Sequence, residues 1–229
     1  MSRIARAAVS IMVLGGALIP CIASAQKAGD MTAGVMAGVN YSKVSQDPES
    51  GDVSFDYKAG FVGGVFLGVQ VNDWFSIEPQ ALFSQKGSKV KGKGSNSSLE
   101  GSVRINYIEI PVLGKFWIPV SDPGVKPFVF AGPAVEFKVS CTAEGAVLAV
   151  TGSEDCDKTG NEIKLKSTDF GVTGGVGVQF RAGGQDVRVD ARYTHGLTDI
   201  NDSSASGDTR EVKNRAFAVT VGLGWPLSR

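Results

Sequence analysis

The sequence has one histidine, three cysteines, no net formal charge and, beyond its first twenty-five residues, no stretch with a convincing helical period. A single imidazole excludes zinc sites built on histidine clusters. Balanced charge, 23 Lys and Arg against 23 Asp and Glu, excludes the basic footprint of a nucleic-acid binder. With 42% hydrophobic and 20% charged residues, the chain is too apolar for disorder. No nucleotide-binding loop is present: Gly171, Gly174, Gly175 and Gly177 lie in an alternating segment with no helix or Lys-Ser/Thr pair after them. What the chain has in excess is glycine, 30 residues in 229, with no three-residue period and therefore no collagen.

The one long apolar run is at the start. Arg3 and Arg6 precede an apolar stretch, Ala7 to Ile19, too short to span a bilayer comfortably, and Ala23-Ser24-Ala25 forms a small-x-small cleavage site. Residues 1–25 therefore read as a signal peptide. Pro20 stands before Cys21 where a lipoprotein signal has a small residue, so ordinary cleavage after Ala25 is expected, leaving one domain over 26–229. The leader carries two basic and no acidic residues, so the mature chain has 21 basic against 23 acidic groups, a formal charge of −2. Its two remaining cysteines, Cys141 and Cys156, read as a disulfide in an exported chain.

The mature chain alternates with period two in eight segments, near 31–44, 57–71, 74–86, 102–118, 126–140, 168–181, 186–197 and 212–225. One face is apolar, as in Val35, Val39 and Tyr41 of the first segment or Val219, Val221 and Leu223 of the last. The other carries glycine and charge. Long connections near 45–56, 87–101, 141–167 and 199–211 alternate with short ones at Asn72-Asp73, 119–125 and 182–185. Short periplasmic turns and long external loops are the pattern of an all-β, eight-stranded, antiparallel, up-and-down transmembrane β-barrel.

Charge placement distinguishes a membrane barrel from a soluble one. Glu78, Glu109, Lys115, Glu136, Arg188, Asp190 and Arg192 share the glycine-bearing faces, and eight strands leave an interior that side chains can fill. Mixed signs inside such a barrel can neutralise one another. Charge reversal at Glu109 with no change in heat-modifiable folding would count against such a network. Arg104, Lys213 and Arg215 break the outer-face rule near the long-loop ends, beyond the expected hydrocarbon. Trp74, Trp117 and Trp225 fall near periplasmic strand ends, where an aromatic girdle is expected.

GFVGGVFLGVQVNDWFSIEPQALFSQKGSK (60–89), YIEIPVLGKFWIP (107–119) and KPFVFAGPAVEFKVS (126–140) resemble the outer-membrane β-barrel domain family sometimes called PorT-like, which shares its architecture with small OmpA- and OmpX-type barrels. The resemblance implies an integral outer-membrane protein and brings no catalytic site. Pro226-Leu227-Ser228-Arg229 after Trp225 departs from the aromatic terminus common in such barrels, and no peptidoglycan-binding domain is expected.

Candidate chemistry is sparse. His195, with Asp199, Ser203 and Ser204 nearby in sequence, could form the triad of a lipid-modifying enzyme, but also reads as a wet rim residue. Asp199, Asn201, Asp202 and Asp208 lack the spacing of an EF-hand loop, and no metal or cofactor is expected. Lys86, Lys89, Lys91 and Lys93 read as a Gly/Ser-rich external loop, a candidate polyanion-binding element. The expected role is structural and surface-interactive, through a plugged barrel with external loops. A narrow diffusion pore, a lipid-modifying enzyme and a secretion or assembly accessory are the alternatives. Expected partners are outer-membrane lipid and lipopolysaccharide, the assembly machinery and a surface ligand.

Overall fold

A computed structural model describes residues 28–47, 53–93, 98–121, 124–145, 153–156, 166–199 and 211–227. The signal peptide, Asn201, Asp202, Ser203, Ser204 and Asp208 lie outside them. The strands are β1 (Met31–Asp47), β2 (Val53–Asn72), β3 (Phe75–Lys93), β4 (Ser98–Trp117), β5 (Val125–Gly145), β6 (Ser153–Asp155), β7 (Thr168–Ala182), β8 (Gln185–Gly196) and β9 (Glu211–Pro226). Among the described residues no helix is long and apolar enough to cross a membrane. The crossing is made by strands.

Each long strand pairs antiparallel with its neighbours in the chain, and β1 pairs with β9, so the eight long strands close into an up-and-down ring. The short β6 folds back onto β5 outside that ring. Closure has a physical cause: an unpaired strand edge in hydrocarbon would leave every second N–H and C=O without water or partner. The sequence-based expectation of eight antiparallel strands matches this architecture.

The strands run further than the alternation indicates. β3 continues to Lys93 and β4 starts at Ser98, with pairing maintained up to Lys93 opposite Ser98. Most of the expected 87–101 loop is therefore a hairpin rising out of the membrane. Polar side chains on both faces hide the period in such a stretch, while the ladder hydrogen bonds persist.

The turns at the opposite end are tight. Gly183 and Gly184, at φ 59° and 84°, join β7 to β8 in a two-residue turn that demands left-handed backbone. Asp73-Trp74 joins β2 to β3, and the Asn72 side chain accepts a hydrogen bond from the Trp74 N–H at 3.1 Å.

The faces are inverted relative to a soluble barrel. Val35, Val39, Phe61, Val65, Val176, Val219 and Val221 are exposed, whereas Glu78, Lys86, Glu136, Arg188 and Asp190 are buried. A register shift in β5, where Asn106 pairs with Ser140 and Tyr107 with Lys138, skips Val139. Beyond this bulge the odd-numbered residues turn inward, which buries Cys141 and Ala143.

Candidate functional site

The interior is filled in two storeys. The lower one, toward the short turns, is centred on Glu78 of β3. Arg188 Nη1 donates to both Glu78 carboxylate oxygens at 2.7 Å, Gln80 Nε2 donates to Oε1 at 2.7 Å, and Lys115 Nζ pairs with Oε2. Asp190 takes Arg192 Nε at 3.1 Å and Nη2 at 3.0 Å, and Arg192 Nη1 reaches Gln80 Oε1 at 2.9 Å. Aromatic rings fill the remaining space. The Arg188 guanidinium lies 3.6 Å above the Phe66 ring, and Lys115 Nζ is 4.5 Å from the centre of Phe128. Glycine makes this possible: a Cβ on Gly222 would sit 2.9 Å from Arg188 Nε.

The upper storey is built on two facing acids. Glu109 and Glu136 are directly opposed across β4 and β5, and Lys86 Nζ stands 2.9 Å from Glu109 and 2.7 Å from Glu136. Asn214 Nδ2 bridges Tyr107 Oη and Asp169 Oδ2, at 3.1 Å each. Above it, Ile105, Tyr107, Cys141, Ala143 and Cys156 form an apolar cluster. Cys141 and Cys156 are disulfide-bonded there, with Cα atoms 5.3 Å apart.

The seven charged residues singled out in the sequence, Glu78, Glu109, Lys115, Glu136, Arg188, Asp190 and Arg192, are all buried in this interior. Lys86 corrects the loop reading. It is buried between carboxylates instead of displayed, because the inward parity of Gln80, Leu82 and Ser84 continues through it. Lys89 and Lys91 also stand on a strand and not in a loop, with their ammonium groups outside the ring. Lys91 pairs with Asp56 at 2.8 Å, and this hydrogen bond holds the Asp56 carboxyl below its usual pKa. Lys93 ends β3, and its side chain lies outside the described residues.

Trp117 corrects the girdle reading. Phe116 and Ile118 face out, so Trp117 must face in, where its ring meets Phe128 edge-on at 5.4 Å. Trp74 and Trp225 are exposed at the turn end. Sequence reasoning also missed Asp169 and Asn214, which lie at the starts of β7 and β9 where the alternation is weakest. His195 faces outward. Its Nδ1 is 3.5 Å from Tyr193 Oη, and the two rings stack. Among the described residues no group of three or more His, Cys, Asp or Glu could hold a metal ion. A polar pocket at the turn end, lined by Asp30, Gln70, Ser76, Glu78, Lys115 and Gln179 among others, has a volume of about 20 Å³, room for one or two waters.

Comparison with solved structures places similar folds in outer membranes. The outer membrane protease OmpT of Escherichia coli superposes with TM-score 0.50 at 11% identity, covering 86% of this chain and 97% of that one. OprG of Pseudomonas aeruginosa gives 0.49 at 16% identity, over 89% and 98%. The neisserial surface protein A gives 0.44 at 15%, over 83% and 95%. No curated protein sequence matches the chain. The family profile for the outer membrane protein beta-barrel domain matches residues 24–202, most of the described barrel. With its closed antiparallel ring and inverted faces, the chain belongs to that outer-membrane β-barrel family.

Proposed function

We infer that this chain is a plugged outer-membrane barrel whose work is done by its exposed surface and external loops and not by transport or catalysis. The observation that carries the reading is the paired filling of the lumen. Glu78 alone is engaged by Arg188, Lys115 and Gln80, and Lys86 ties β3 to β4 and β5 one storey above. A water path past these side chains would have to break buried ion pairs, and removing a partner from such a pair costs about 3–5 kcal/mol. The disulfide between β5 and the segment after it restrains the third external connection and suits a rigid display element.

Single-channel recording in planar bilayers tests the reading. The refolded protein is expected to give no steady openings. Sustained ohmic conductance would replace the plugged barrel with a narrow pore. For a lipid-modifying enzyme, a nucleophile and an acid would have to converge on His195, whose described partner is Tyr193. Assay of lipid A acylation with wild type and His195→Ala tests that alternative. Equal and negligible turnover is expected from both.

A further inference from the structure

The outer wall of β1, β9 and β8 is ordered in rows. In register across the three strands, Val39 pairs with Val219 and Val219 with Ala191, all of them apolar. One outward rung higher, Tyr41 pairs with Phe217 and Phe217 with Tyr193, three exposed rings side by side. One further rung up, Lys43 pairs with Arg215 and Arg215 with His195.

The height of these rows follows from strand length. Lys43 lies twelve residues beyond Met31, Arg215 eleven before Pro226 and His195 ten beyond Gln185. A tilted strand needs about 9–11 residues to cross the hydrocarbon. The rings therefore sit at the outer interface, where aromatic side chains accumulate, and the cations sit at headgroup level just above.

Lys43 directly opposite Arg215 is unfavourable by itself, since like charges in cross-strand register repel. The Asp56 carboxylate attracts Lys43 but is already hydrogen-bonded to Lys91 at 2.8 Å, so it relieves only part of that repulsion. Lys43 Nζ lies over the Tyr57 ring, 5.2 Å from its centre, and Arg215 Nε is buried with no hydrogen-bond partner among the described residues. An anion placed between the two would turn the repulsion into attraction and give the guanidinium an acceptor.

We propose that this face binds the phosphate of an anionic lipid of the outer leaflet, with Lys43 and Arg215 on the phosphate, His195 at its edge, and the acyl chains along Tyr41, Phe217 and Tyr193. The aromatic and aliphatic rows beneath the cations commit the site to a lipid, because a free anion would have no use for them.

The test uses the full barrel refolded in vesicles of phosphatidylcholine alone, of phosphatidylcholine doped with lipid A, and of phosphatidylcholine doped with dephosphorylated lipid A. Retained lipid is read by native mass spectrometry after gentle solubilisation. Phosphorylated lipid A is expected to be retained and the dephosphorylated form lost. Lys43→Gln with Arg215→Gln should lower retention about twenty-five-fold, a roughly five-fold effect for each cation near a membrane surface. Lys89→Gln, which removes an exposed cation on β3, should leave retention unchanged. Equal retention of both lipid A forms by the wild type overturns the proposal, and that comparison decides the matter if the double variant fails to fold. Loss of equal size in Lys89→Gln, or displacement of the lipid by inorganic phosphate, overturns it as well.

Discussion

Lys86 stands between two carboxylates that face each other across the β4–β5 ladder, and its removal leaves them buried and opposed. Lys86→Met is expected to destabilise the barrel by about 3–5 kcal/mol, the usual cost of breaking a buried pair. Urea titration of folding into vesicles measures it, and an unchanged midpoint would show that the storey contributes little. Gly222 is the matching case for size. Its missing Cβ leaves room for Arg188, which is held on one side by Glu78 and on the other by the Phe66 ring. Gly222→Val should cost about 1–3 kcal/mol through overpacking, by the same titration. Seven of the interior charges were legible from alternation alone. Lys86 was not, because Lys-Gly-Ser-Lys has the composition of a loop, while its burial depends on a parity that only the continuing ladder preserves.

At the scale of elements, bulges and turns decide where side chains end up. Under unbroken alternation Cys141 would continue the outward parity of Val135 and Phe137. The bulge turns it inward, where it meets Cys156 beside Tyr107. The pairing of the two cysteines was readable from their number and the exported character of the chain, but their place in a buried cap over the upper storey was not. Closing a loop of this length is worth about 3 kcal/mol by chain entropy. Cys141→Ser with Cys156→Ser is therefore expected to lower stability by that order, and reduction of the wild type should reproduce the loss in the same unfolding assay. If neither changes the midpoint, the described packing of the cap suffices without the bond. The cross-strand rows of β1, β9 and β8 belong to this scale as well. Tyr41, Phe217 and Tyr193 are far apart in sequence, and only the register makes them one girdle.

For the whole molecule, the orientation of the faces is the decisive property. Val221 lies in the middle of the crossing part of β9 and points outward. Val221→Arg should cost about 2–4 kcal/mol on insertion into a bilayer, as an arginine at the lipid-facing midplane does. An effect near zero would contradict a lipid-facing wall. The sequence by itself determined the number of strands, their up-and-down order, the faces and the membrane they cross, because period two, turn chemistry and the cost of charge in hydrocarbon are local properties of the chain. It also located most of the lumen charges, since parity follows from the same period. Tertiary structure alone decided which charge meets which: that Arg188 reaches Glu78, that Lys86 joins two facing acids, that Trp117 turns inward, and that Lys43 lies opposite Arg215. Those contacts depend on register and on irregularities such as the bulge in β5, and a shift of a single residue would move every side chain of a strand to the other face while leaving the hydrophobic pattern of its neighbours unchanged.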